Sequence, residues 1–373
     1  MPRAVPLRSI QILRALAASL VVTGHAFHDS AYIAEHTART SIDLPYFDWG
    51  FGVDIFFVIS GFIMIYTTAD TFGGPGAAST FLVRRFVRIA PLYWLMTAGL
   101  ILVSVAAPKL LNVPIENWRS IVTSYLFIPD IRDNGEVRPI FALGWTLNYE
   151  MFFYAIFACC LMLPLRRGVL WLASIFLAIS ILGSVIALPG IALPFWANSI
   201  ILEFVFGILI GLACLSKRSL SATMALALTA VAVALAIAGG PMWGWNQVLP
   251  RFLCAGMPAA LLVTAAALGP SLSPTRFVTL LVGVGDASYS LYLTHPFVLR
   301  PLRNIWTILS GSLPLGLYVV ACVVVAASAA MLICRLIEKP LTNELQRRTR
   351  GLIRSRREMI AMPNPAAAPL STS

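Results

Sequence analysis

Apolar residues run along this chain in long, nearly unbroken stretches, and most polar residues are gathered between them. Stretches of about 20 apolar residues match the hydrocarbon thickness of a bilayer when helical. The pattern predicts ten spans, at residues 8–28, 50–68, 90–107, 141–163, 169–188, 196–214, 222–239, 250–268, 277–299 and 313–337, with a weaker interfacial segment at 118–128. In lipid each segment must satisfy its own backbone hydrogen bonds, so the expected fold class is all-α: a polytopic transmembrane helix bundle of about ten helices. Residues 1–340 form that bundle and 341–373 a tail, basic at first and then rich in Pro, Ala and Ser, expected to be disordered at its end.

Composition agrees and removes other classes. With 59% hydrophobic and 12% charged residues in 373, and a mean hydropathy of +0.84, the chain is far too apolar for a soluble domain of this length. The net charge of +11 is explained by cytoplasmic loops and a tail carrying Arg347, Arg348, Arg350, Arg354, Arg356 and Arg357, which anionic lipid headgroups attract. No nucleic-acid partner is expected, because no soluble module presents that charge. Placing the N-terminus in the cytoplasm puts 17 of the 27 basic residues on that side, so both termini are expected inside. The first apolar run resembles a signal peptide in its Arg3 and Arg8 flank, but Arg14 interrupts it and it continues past His25, which favours a retained span. Six cysteines lie in or at the ends of spans without metal-type spacing, so packing is their expected role and no metal site or cofactor is predicted.

Ionisable residues inside the spans carry the chemistry. Arg14 and His25 stand eleven positions apart on the first span, three helical turns plus roughly 20°, on one stripe and about 16 Å apart along the axis. Such groups face a bundle interior or a wet cavity, although Arg14 alone could snorkel and His25 could simply bond a neighbouring helix. In residues 49–62, WGFGVDIFFVISGF, Asp54 lies a few residues deep from the outer face, and Ser60 with Gly61 allows close helix approach or a break. Residues 81–93, FLVRRFVRIAPLY, place Arg84, Arg85 and Arg88 in one cytoplasmic patch. Forked guanidinium groups suit phosphate; positive-inside anchoring explains them equally well.

In residues 144–154, GWTLNYEMFFY, Glu150 reads as level with His25 and Asp54, so three spans supply one outer zone if those helices are neighbours. A carboxylate beside an imidazole can fix its tautomer and raise its basicity; a purely structural cluster is the alternative. Residues 283–296, GVGDASYSLYLTHP, put Asp286 near mid-span, Tyr289 and Tyr292 in position to line a cavity, and His295 at the outer end, where a structural role is the first expectation. Glu203 has no assigned partner.

These runs occur in an order that resembles the acyltransferase 3 family of bacterial membrane acyltransferases: Arg14-x10-His25, GVDIFFVISGF, RRFVRIAP, WTLNYE and SYSLYLTHP. Residues 9–28 with 50–64 are similar to the branch that O-acetylates exopolysaccharides. The likeness covers the first 154 residues and resumes at 283–300; residues 164–275 add hydrophobic spans alone. It implies an O-acyltransferase of the bacterial inner (cytoplasmic) membrane, taking an acyl group, acetyl first among candidates, from cytoplasmic acyl-CoA to a hydroxyl of an exported glycan or lipid-linked sugar. Acyl-CoA is then a donor substrate, not a resident cofactor. It also implies that His25 is catalytic, with Glu150 or Asp54 orienting it, and that Arg14, Arg84, Arg85 and Arg88 serve the donor; Ser60, Asp286, Tyr289 and His295 are further candidates. A proton-coupled transporter or flippase uses the same intramembrane residue types, but no internal repeat is visible and a one-sided arginine patch fits a phosphate-bearing donor better.

Overall fold

The computed structural model describes residues 8–37, 47–106, 117–132, 134–244, 249–309 and 313–349. Among these, every named element is helical, and one isolated bridge pairs Ile131 with Val137. The first half comprises α1 (Arg8–His36), α2 (Phe51–Thr68), α3 (Ala77–Ala106), the short α4 (Trp118–Tyr125), α5 (Trp145–Leu161) and α6 (Leu165–Val185). The second comprises α7 (Ala192–Trp196), α8 (Leu202–Leu215), α9 (Ala222–Gly244), α10 (Met257–Leu268), α11 (Arg276–Asp286), α12 (Ser288–Ile308) and α13 (Leu315–Ile333). Pro164 and Pro314 precede α6 and α13 in extended conformation, where a fixed φ starts a helix cleanly. Pro91 sits inside α3, and Pro296 and Pro301 inside α12; neighbouring helices can satisfy the carbonyls that prolines release in membrane bundles.

Helix α1 is the hub, packing on α2, α10, α11, α12 and α13. Its buried face, Ala15, Ala17, Ala18, Val22 and Ala26, is built of small residues, which lets five neighbours crowd one helix. Among the described residues the α2–α8 crossing is the closest. A Cβ on Gly207 would stand 1.9 Å from the Val58 carbonyl oxygen, and one on Gly61 2.0 Å from that of Phe204. Gly61 is therefore a packing glycine, as its place beside Ser60 allowed. Around this crossing Phe57, Phe153, Phe157, Phe204 and Tyr93 form an aromatic core. Large apolar side chains point outward instead on α6, α9 and α13, among them Leu170, Trp171, Leu226 and Leu332. Outward apolar faces on long helices are what a lipid solvent favours.

Helices of unequal length occupy the ten expected positions. Among the described residues six helical segments are long and apolar enough to cross a membrane, and the α11–α12 pair makes a seventh. That pair is bent by 74°, so the span expected at 277–299 is broken, and Asp286 lies at the break instead of mid-helix. The regions 141–163, 196–214 and 250–268 hold shorter helices, α5 with 17 residues, Ser199–Leu215 and Phe252–Leu268. These shorter helices pack against their neighbours in the bundle, α5 on α3 and α6, α8 on α2, and α10 on α8 and α9. The last helix continues beyond 337 as far as Thr349, so the expected tail begins as helix; residues 350–373 lie outside the described set.

Candidate functional site

Five helices line a half-open cavity of about 140 Å³. Arg14 of α1, Ser60 of α2, Arg85 and Arg88 of α3, Glu150 and Tyr154 of α5, and Ser288, Tyr289 and Tyr292 of α12 supply its polar lining, while Phe56, Phe57, Ile63 and Met64 of α2 make an apolar wall. The arginines gather at one end because α3 enters the bundle there with the i, i+3 pair Arg85 and Arg88 facing inward. Arg85 approaches Thr67 at 3.4 Å and lies 5.7 Å from the centroid of the Phe81 ring. Arg88 pairs with Glu338 at 2.6 Å, and Ser290 donates to the same carboxylate at 2.5 Å. Arg14 donates to Ser288 at 3.1 Å. The bend between α11 and α12 thus sets the N-terminus of α12 beside the arginines, adding partial positive charge.

Glu150 takes hydrogen bonds from Ser60, at 3.0 Å, and from Tyr154. Three arginines thus share this end with the carboxylates of Glu150 and Glu338, and the charge of Asp286 also acts on Arg14; forked guanidinium groups lining a cavity are suited to an anion. Tyr289 donates to the Ile89 carbonyl at 2.6 Å, and Tyr292 to that of Leu143 at 3.1 Å, so both rings are fixed as walls.

Beyond Tyr292 lies a pair of histidines. The Tyr292 and His295 ring centroids are 6.4 Å apart, and the His295 and His25 centroids 5.1 Å with a 40° tilt. His295 is fully buried, whereas His25 is exposed. Asp29, His28 and Arg138 are the charged groups acting on His25. Asp29 is itself held by Arg303 and Tyr318, each at 3.3 Å. Arg14 and His25 both stand on α1, about 16 Å apart along its axis.

Two expected placements do not hold. Asp54 is fully buried but does not orient His25: Arg251 grips both its oxygens, at 2.8 and 2.6 Å, and reaches Asp48 at 2.8 Å. Glu150 is not level with Asp54 either. Its partner Ser60 lies six residues further along α2, about 9 Å deeper, so Glu150 belongs to the arginine-lined cavity. The reason in both cases is helix stagger, which spacing within one span cannot reveal. Arg84 is exposed and does not line the cavity, since i+1 neighbours point about 100° apart. Asp286 is half-buried at the break, and its charge acts on Arg14.

Several residues of the site were not read from sequence. Glu338 is the clearest: a carboxylate at the end of a long apolar helix, inside the π-helical turn Cys334–Glu338, an irregularity common at functional sites. Its apolar context was the available signal. Arg251 is another, and it supplies the setting that Glu203 lacked in the sequence: the Glu203 carboxyl lies against Asp54 and covers Gly256. Among the described residues no group of three or more His, Cys, Asp or Glu is placed to hold a metal ion.

The acyltransferase domain profile of the acyltransferase 3 family matches residues 7–334. The chain is 32% identical over 308 residues to the exopolysaccharide production protein ExoZ of Rhizobium meliloti (strain 1021), covering 81% of this chain and 92% of the relative. No solved structure gives a significant match. With a family match that spans nearly all of the bundle, a cavity lined by three arginines at one end and a histidine pair beyond the other, the chain belongs to the acyltransferase 3 family of membrane acyltransferases.

Proposed function

We propose that this membrane acyltransferase carries an acyl group, acetyl first among candidates, from cytoplasmic acyl-CoA to a hydroxyl of an exported or lipid-linked glycan at the bacterial inner membrane. One observation carries the reading: a cavity with Arg14, Arg85 and Arg88 at one end approaches, through Tyr292, the His25–His295 pair. The ExoZ relative, named for exopolysaccharide production, supports a glycan acceptor.

Arg85 and Arg88 bind the donor's phosphates, and Arg14 lies along the path of its thioester arm. The arm extends past Tyr292 towards His25, which takes the proton of the acceptor hydroxyl as its oxygen attacks the thioester carbonyl. Collapse of the tetrahedral intermediate breaks the C–S bond, and the proton on His25 passes to the departing CoA sulfur. Protons balance, so no cofactor is consumed. General base catalysis of this kind is worth about 10²- to 10⁴-fold, and holding both substrates together lowers the barrier further. Glu150, held by Ser60 and Tyr154, balances the arginines, and Asp54 maintains the fold through Arg251.

The test is transfer of radiolabel from acetyl-CoA to exopolysaccharide repeat units by purified protein in lipid nanodiscs. His25→Ala should fold at normal abundance while transfer falls about 10²- to 10⁴-fold. Wild-type transfer by that variant ends the mechanism, and absence of any transfer by the wild type, with movement of the glycan across vesicles, identifies a transporter.

A further inference from the structure

We infer that His295 is the positioning residue of His25: its Nε2 lone pair accepts the N–H of one His25 nitrogen and leaves the other free to act as base. The inference rests on the reading of His25 as the general base. His295 Nδ1 lies 3.1 Å from the Leu291 carbonyl oxygen. A carbonyl can only accept, so Nδ1 carries the hydrogen, and Nε2 of the neutral ring is an acceptor. That Nε2 is buried without a hydrogen-bond partner, in a side chain that is 0% exposed. A buried polar atom left in this state is costly, and in a native site it calls for a partner.

His25 is the side chain placed to supply one. Its ring is 5.1 Å from that of His295, centroid to centroid, a separation at which two imidazole nitrogens turned towards each other come within hydrogen-bonding distance. His25 is exposed and can turn; His295 cannot, being enclosed and followed by Pro296. The carboxylates that could otherwise orient His25 are engaged elsewhere: Asp29 by Arg303 and Tyr318, Asp54 by Arg251, and Glu150 by Ser60 and Tyr154. A neutral acceptor also suits this depth, because it fixes a tautomer without placing a second charge in the membrane.

Three variants test this with the label-transfer assay: His295→Asn, His295→Gln and the double variant His25→Ala/His295→Asn. Asn keeps an N–H near Leu291 but has nothing at the Nε2 position, whereas the Gln side chain reaches it. The expected result for His295→Asn is a fall in kcat of about 10- to 100-fold, short of the full loss of a general base, with KM for acetyl-CoA unchanged. His295→Gln should recover much of that loss, and the double variant should be no slower than His25→Ala alone, because a positioning residue has nothing left to position. In the wild type, nitrogen NMR of labelled histidine should report the Nδ1–H tautomer for His295. Wild-type kcat in His295→Asn, losses that multiply in the double variant, equal losses in Asn and Gln with lowered thermal stability, or an Nε2–H tautomer each overturn the inference. Activity retained by His25→Ala instead overturns the base assignment itself, and the positioning role with it.

Discussion

Removing Arg251 tests whether Asp54 holds the fold or serves the chemistry. Arg251 is 13% exposed and bonds both oxygens of Asp54, which is 0% exposed, at 2.8 and 2.6 Å. Its third contact is Asp48, 27% exposed. In Arg251→Met the guanidinium is lost and the fully buried Asp54 is left with the equally buried carboxyl of Glu203 against it and, among the described residues, no cation beside the pair. Removing one partner of a buried pair costs about 3–5 kcal/mol. Asp54→Asn should cost less, about 1–3 kcal/mol, because Arg251 keeps Asp48 and an amide can still accept one of its N–H groups. Combining Arg251→Met with Asp54→Leu should recover part of the loss, since an apolar pair leaves no uncompensated charge. The assay is thermal unfolding of purified protein in nanodiscs, with label transfer measured per folded molecule. Asp54→Asn should then transfer label at near wild-type rate once normalised. A stable Asp54→Asn protein with transfer reduced a hundredfold would refute the structural assignment and return Asp54 to the side of His25.

Three further outcomes follow from the same geometry. Arg85→Ala should raise KM for acetyl-CoA about tenfold or more, and Arg84→Ala should leave it near wild type, because Arg85 lines the cavity and Arg84 is exposed; equal shifts would mean that general surface charge, not a built site, draws the donor. Gly207→Leu should lower folded yield sharply, since even a Cβ there would sit 1.9 Å from the Val58 carbonyl and overpacking typically costs about 1–3 kcal/mol; unchanged thermal stability would deny the close α2–α8 crossing. In a cysteine-free background, Ser79→Cys should resist an impermeant thiol reagent in intact cells and Asn134→Cys should react, both positions being exposed; the reverse pattern would put the arginine end on the side without acyl-CoA.

Much of this protein is legible in one dimension. The length of an apolar run reports the membrane, and eleven positions on one helix report that Arg14 and His25 share a stripe, because helical periodicity is local. Arg85, Arg88, Ser60, Glu150 and Tyr289 were singled out from the same kind of reading, and all line one cavity. Tertiary structure alone decided who meets whom. Asp54 is one of two carboxylates expected beside His25, from its depth on α2, yet its partner is Arg251, nearly two hundred residues away in sequence. His295 reached His25 from the far end of the chain, and Glu338 reached Arg88. A bilayer fixes depth along each span but not the rotation and stagger of one helix against the next, which follow from glycine contacts such as Gly207 on Val58 and from the 74° break before Ser288. Charges buried in that packing must then find their partners wherever those contacts bring them, and that requirement, invisible in any single span, separated the ion pair of Asp54 from the histidine pair beyond the cavity.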